Sequence, residues 1–221
     1  MDRKYIMEAE KAASLSAFAD YYGMTAYERK LEQYFEEKKI RPGQEIVLCG
    51  CIGLAGTVYL AQHRAEELRK TLPGHFIRSG TSLEERIGIL PDPEIARVHG
   101  VTAMYHIGEG GLLNGLCRLA ADSATGFRID YEAVPVKQVT IECCEVFDLN
   151  PWHLMSGGCV LMVAEHGYET VRAFEHPDAP CRIIGYISGD NDKAICHGEI
   201  RSCLNRPQPD ELLKVYIEKN D

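Results

Sequence analysis

Apolar residues recur along this chain with two periods, and the change from one to the other sets out its elements. Tyr27, Leu31, Tyr34 and Phe35 fall at i, i+4, i+7 and i+8, the spacing of one face of a helix. Thr25, followed three residues later by Glu28, reads as a capping box, so a helix is expected over Ala26–Lys39. An earlier helix is expected over Met1–Tyr22, ending at Gly23. Arg41-Pro42-Gly43 is a turn. It separates an N-terminal helical arm, residues 1–41, from a second domain, residues 42–221.

Beyond that turn, Glu45–Cys51 is a short apolar run of buried-strand type, and a helix with an Arg/Glu-rich solvent face is expected over Gly56–Leu72. Leu83–Leu90 fits neither period. Asp92 caps a short helix that has Pro93 in its first turn. Leu112–Ala121 is an amphipathic helix. It is followed by a strand at Gly126–Asp130, a helix at Val136–Phe147, a strand at Cys159–Ala164 and a helix at Tyr168–Phe174. Cys181–Ser188 and Ala194–Ile200 suggest a hairpin through Gly189-Asp-Asn191. Strands and helices mix without a strict βαβ rhythm. The expected class is therefore α+β, with helices packed on a mixed sheet.

Composition narrows the partners. At 221 residues with 45% hydrophobic content the chain can build a real core, and its formal charge of −9 argues against a nucleic-acid binder, which would cluster Lys and Arg. No apolar stretch reaches the roughly 18 residues of a membrane span, and no signal peptide is expected, so the reading is a cytoplasmic protein without membrane partners. Nine cysteines, without framework spacing, fit free thiols in a reducing compartment. The spacing suits no zinc site.

The most informative stretch is Thr102-Ala-Met-Tyr-His-Ile-Gly-Glu-Gly-Gly111, which places a glycine pair at the mouth of the Leu112 helix. Glycines can take positive φ and turn backbone amides toward one point, where a phosphate would sit against the positive helix end. Gly108, Gly110, Gly111 and Leu112 are the candidate ligand-binding residues. The alternative is a turn that merely starts a helix. Met155-Ser156-Gly157-Gly158 is a second place where amides could face a ligand, with a strand-entry turn as its alternative.

The glycine string resembles the T-A-M-H-D-x-T-E-G-G-L-L-G-A-L signature in the C-terminal domain of the aminoimidazole-ribonucleotide synthase superfamily, which includes a hydrogenase maturation factor. The resemblance is collinear over about residues 42–212. Pro42-Gly-Gln-Glu-Ile-Val-Leu48 is similar to the family's P-G-D-x-I-V-V, and Gly53-Leu-Ala-Gly-Thr57 to its G-L-E-G-T. Ile129-Asp130 with Val134-Pro-Val136 is similar to its I-D…I-P-I strand. Asp148-Leu-Asn-Pro151 with Met155-Ser-Gly-Gly158 is similar to its G-I-D-P…S-S-G segment, and Asn205-Arg-Pro-Gln-Pro-Asp-Glu-Leu212 to a P-x-x-D-E-L ending.

The resemblance implies a two-domain plan in which an N-terminal domain supplies acidic metal ligands and much of an ATP site. Only about forty residues precede the resemblance here, and none carries those motifs. ATP or another phosphate-bearing ligand is thus the expected cofactor, with Mg only if a partner completes the site. Two signature positions are also altered: His106 stands where the family has Asp, and Gly108 where it has Thr. His106 could act as a general base, or it could simply pack or bind. Glu109 and Asp130 are the nearest acidic candidates for catalysis. The maturation factor's reactive cysteine lies at its extreme end, where this sequence reads Val215-Tyr-Ile-Glu-Lys-Asn-Asp221, so no carbamoyl-carrier role is expected. Three readings stay open. One is a binder of a phosphate-bearing small molecule, or a subunit of a split system, without autonomous ATPase activity. The second is an ATP-dependent dehydratase or synthetase completed by a partner chain or a second copy, and the third is a non-catalytic interaction module. The apolar face of the arm is expected to cover its own sheet or to support a homodimer.

Overall fold

A computed structural model describes residues 24–204 and 206–215. The helix expected over Met1–Tyr22, and Asn205, lie outside the described residues. Seven strands form one sheet: β1 (Glu45–Cys49), β2 (Val101–Ile107), β3 (Phe127–Asp130), β4 (Cys159–Ala164), β5 (Cys181–Ile187), β6 (Lys193–His197) and β7 (Ile200–Cys203). Their spatial order is β2-β4-β1-β5-β3-β6-β7, with β3 and β6 parallel and the other neighbours antiparallel. The sheet is mixed and helices pack on it, so the fold is α+β as its pattern implies.

Strand alternation explains how helices cover both faces. Ile46 and Leu48 of β1, with Leu161 and Val163 of β4, meet Leu112, Leu116 and Leu119 of helix α6 (Gly111–Asp122). Their neighbours Val47, Val160 and Met162 point to the opposite face. There they meet Leu31 and Phe35, from helix α1 (Met24–Tyr34) and the residue after it, and Ala96 of α5 (Pro93–Val98), with Val171 and Phe174 of α8 (Gly167–Phe174) at the margin. The apolar stripe read from Tyr27, Leu31, Tyr34 and Phe35 thus lies on the chain's own sheet. A separate helical core joins α2 (Leu54–His63), α4 (Gly74–Ser82) and α7 (Gln138–Phe147), and it includes Met24, Leu154, Met155 and Leu212.

Several expectations are corrected. Thr25 lies inside α1, which already includes Met24, rather than one residue ahead of the helix; the helix stops at Tyr34, and Lys39 donates its amide to the Thr102 carbonyl as the chain turns to the edge of β2. The helix expected over Gly56–Leu72 breaks at Arg64 (φ −121°, ψ 24°) into α2 and the short α3 (Ala65–Leu68). There the Arg64 guanidinium grips the Glu67 carboxylate and, at 2.5 Å, the Val215 carbonyl. Residues 83–86, which fitted neither period, form a 3-10 turn after α4.

The hairpin expected between Cys181–Ser188 and Ala194–Ile200 is absent from the sheet, because β3 lies between β5 and β6. The intervening turn wraps the start of β3: Gly126 and Phe127 donate to the Asp190 and Asp192 carbonyls, and Ser188 donates to Gly126. The hairpin that forms joins β6 to β7 through Gly198, at φ +58°. Cys49 and Cys181, opposite each other on β1 and β5, are joined as a disulfide rather than left as free thiols. Among the described residues no helix is long and apolar enough to cross a membrane.

Candidate functional site

β2 is an edge strand, and its end runs through Gly108-Glu109-Gly110 into α6. Gly110 and Gly111 both take left-handed backbone, φ +74° and +64°, where L side chains are strained. A Cβ on Gly111 would come within 2.4 Å of the Trp152 carbonyl, so the turn also needs glycine for space. The amides freed at the helix start are not idle. Gly111 donates to the Gly108 carbonyl at 3.2 Å, Leu113 to the Trp152 carbonyl at 3.2 Å, and Gly110 to Oδ2 of Asp210 at 2.7 Å.

Asp210 is therefore the anion in this cradle. It is 2% exposed, and its Oδ1 accepts from the Leu212 amide at 2.8 Å. Burial pushes its carboxyl up to about 6, the nearby Glu109 charge adds to the rise, and the amides of Leu212, Gly110 and Met155 pull against it. The segment that carries it runs past the turn, with Gln208 bonded through its backbone N–H and C=O to the Asn114 side chain at 3.1 and 2.9 Å.

Beside the turn lies a cavity of about 560 Å³ whose wall includes Glu28, His106, Gly108, Glu109, Asn114 and Arg118. A second, of about 550 Å³, shares Glu28, His106 and Arg118 with it and reaches Tyr105 and Asp122. His106 is 1% exposed, on β2 facing α1. Its Nδ1 lies 3.2 Å from Oε1 of Glu28, and its carbonyl accepts from Arg118. The ring's other nitrogen, Nε2, is buried and has no hydrogen-bond partner among the described residues. Tyr105 donates its hydroxyl to Asp122 at 3.0 Å; burial first, and the Asp122 charge second, hold it protonated. Lys38 reaches the same carboxylate at 2.7 Å.

The structure thus brings His106, Gly108 and Glu109 around one cavity, with Gly110 and Gly111 buried behind its wall. Leu112 is wholly buried in the core. Asp130 stands apart on β3, near the other end of the sheet, exposed and accepting from the Glu132 amide. Ser156, Gly157 and Gly158 are all buried. The Ser156 hydroxyl accepts from Gly53 and donates to the Leu154 carbonyl, Met24 covers Gly157, and a Cβ on Gly158 would meet Ile87 backbone at 2.8 Å. Glu28, read in the sequence only as part of a capping box, Asp210, read only within the P-x-x-D-E-L ending, and Arg118 were not among the expected site residues. Only Asp210 left a local signal, an acidic cap two residues before Leu212. Among the described residues no group of three or more His, Cys, Asp or Glu could hold a metal ion.

The chain belongs to the family of AIR synthase related proteins, C-terminal domain, which matches residues 41–197. It is 28% identical over 156 residues to the carbamoyl dehydratase HypE of Rhizobium leguminosarum bv. viciae, a match covering 69% of this chain and 43% of that protein. The chain therefore spans less than half the length of this relative. The hydrogenase maturation protein HypE of E. coli superposes with a TM-score of 0.60 at 19% identity, over 81% of this chain and 54% of that one. A HypE structure in complex with ATP gives a TM-score of 0.59 at 15% identity, over 80% and 54%. At these identities the structural likeness is one of fold.

Proposed function

We propose that this chain is a phosphate-binding half-site. It holds a phosphate-bearing small molecule at the glycine turn and takes part in ATP-dependent dehydratase chemistry only with a partner chain, or a second copy, that brings the metal-binding carboxylates. The observation that carries this reading is the Gly110 amide, which grips a buried carboxylate oxygen at 2.7 Å. A carboxylate and a phosphate present the same kind of oxygen to a helix start, so a cradle that holds one is built for the other. Arg118 and Asn114 add donors along the cavity wall, and His106 adds a ring nitrogen. Among the described residues no group of three or more His, Cys, Asp or Glu stands together, so this reading assigns the magnesium-binding carboxylates to the partner. The relative named as a carbamoyl dehydratase, and the one described in complex with ATP, support ATP as the phosphate-bearing class.

A second reading, an interaction module whose turn is structural, draws on one observation: the oxyanion in the cradle belongs to the chain itself. Amide NMR on the full chain, titrated to millimolar ATP or inorganic phosphate, separates the two. The half-site reading expects the Gly108, Glu109 and Gly110 amides to shift together, with ATP turnover by the lone protein below about 1 per second even with magnesium. Turnover at or above that rate would mean a complete site. Still amides, both in the natural chain and with Asp210→Asn, would leave the interaction module.

A further inference from the structure

Residues 206–209 are exposed, yet the segment ends in two buried anchors, Asp210 and Leu212. The exposed part is tied down lightly. Asn114 bonds both backbone groups of Gln208, and Pro207 and Pro209 have no N–H to offer. Beyond Asp210, Glu211 donates its amide to the His153 carbonyl at 3.2 Å, and Leu212 is embedded in the helical core beside Leu154 and Met155. The segment is thus a stiff strap hinged on an apolar residue, and its one buried charge sits where a phosphate oxygen would sit.

We propose that residues 206–211 are a displaceable strap in which the Asp210 carboxylate stands in for a phosphate oxygen, so that a phosphate-bearing ligand gains the Gly110 amide only by releasing the strap. The inference rests on the half-site reading above and states how that site is regulated. Three features support exchange over permanent closure. The carboxylate uses one oxygen on the turn and the other on its own Leu212 amide, so a ligand with three oxygens makes a stronger claim on the turn. Its ionised form is held against burial and against Glu109, and release returns it to water. The cavity into which a ligand would extend already stands beside the turn, with Pro207 in its wall and the unpartnered Nε2 of His106 among its polar groups.

The test follows both ends of the contact in the full chain, with inorganic phosphate and ATP as probes. Amide NMR reports ligand at Gly110, and hydrogen exchange at Glu211 and Leu212 reports the strap. In the natural protein, saturating probe should shift Gly110 and speed exchange at both strap amides by about tenfold. Asp210→Asn keeps an oxygen for Leu212 but turns an NH2 toward the Gly110 amide, so it should bind either probe about tenfold more tightly, the effect of losing one competing charged hydrogen bond. If the probe shifts Gly110 while strap exchange stays unchanged and Asp210→Asn binds no better, the strap proposal falls and the half-site survives. If neither probe moves Gly110 in either protein, the half-site itself fails and takes the strap with it. The exchange measurement needs no variant, so the strap is still tested if Asp210→Asn folds poorly.

Discussion

Two glycine-bearing turns lie side by side in this protein, joined by the Ser156 amide on the Gly108 carbonyl at 3.1 Å, and they serve opposite ends. The turn at Gly108–Gly111 borders a cavity and grips an oxyanion. The turn at Ser156–Gly158 looks much the same in sequence, but Ser156, Gly157 and Gly158 are all buried, with its hydroxyl spent on Gly53 and Leu154 and its glycines pressed against Met24 and Ile87. Positive φ and small residues therefore answer two different demands. One turn uses them to aim an amide, the other to let backbones approach.

The sharpest way to break this contrast is Gly158→Ala. At φ +87°, with a Cβ 2.8 Å from Ile87 backbone, the new methyl combines backbone strain with overpacking, and about 3 kcal/mol of stability should be lost in chemical denaturation. A loss within error would mean that the second turn is open enough to host a ligand.

Ser156→Ala should follow at about 1–3 kcal/mol, because the Gly53 amide is left buried without its acceptor. Phosphate-induced shifts at Gly110 should persist in this variant. Their disappearance would show that the two turns act as one site.

The smallest effect is a pH dependence confined to the open turn. Asp210 titrates in the folded protein near 6, above the ordinary 3.8, chiefly because it is buried. A raised folded value means that its contribution to stability is complete below about pH 4 and is lost as pH rises through 6, at no more than about 1.4 kcal/mol per pH unit. Stability of the natural chain relative to Asp210→Asn should fall from pH 4 to pH 7. A constant difference would mean that the carboxylate is not held as described.

The same contrast explains what was legible in the sequence. The Leu112 helix and its glycine pair were readable because local period and punctuation suffice for both, as did Asp92-Pro93 for α5. The supposed hairpin after Cys181 was not. Gly189-Asp-Asn191 would look the same whether its flanking strands pair with each other or with a third, and here Phe127–Asp130 comes between them. Glu28 and Asp210 were hidden for a related reason, since they reach His106 and Gly110 across 78 and 100 residues of chain, beyond any local window. Sequence could say that the Ser156 turn has glycines. It could not say that Met24 and Ile87 would fill the space they leave.

The place of β1 in the middle of the sheet bears on how the protein is made. Its hydrogen-bonding neighbours, β4 and β5, lie more than a hundred residues downstream. At about 5–20 residues per second, a ribosome that has released β1 needs on the order of ten seconds to deliver β4. For that interval Ile46, Val47 and Leu48 form an apolar strand with both edges unpaired, whereas α2 and α4 already have each other to pack against. The newborn chain is therefore most open to chaperone capture, or to pairing with a neighbouring nascent chain, at a strand that ends up paired on both sides inside the sheet.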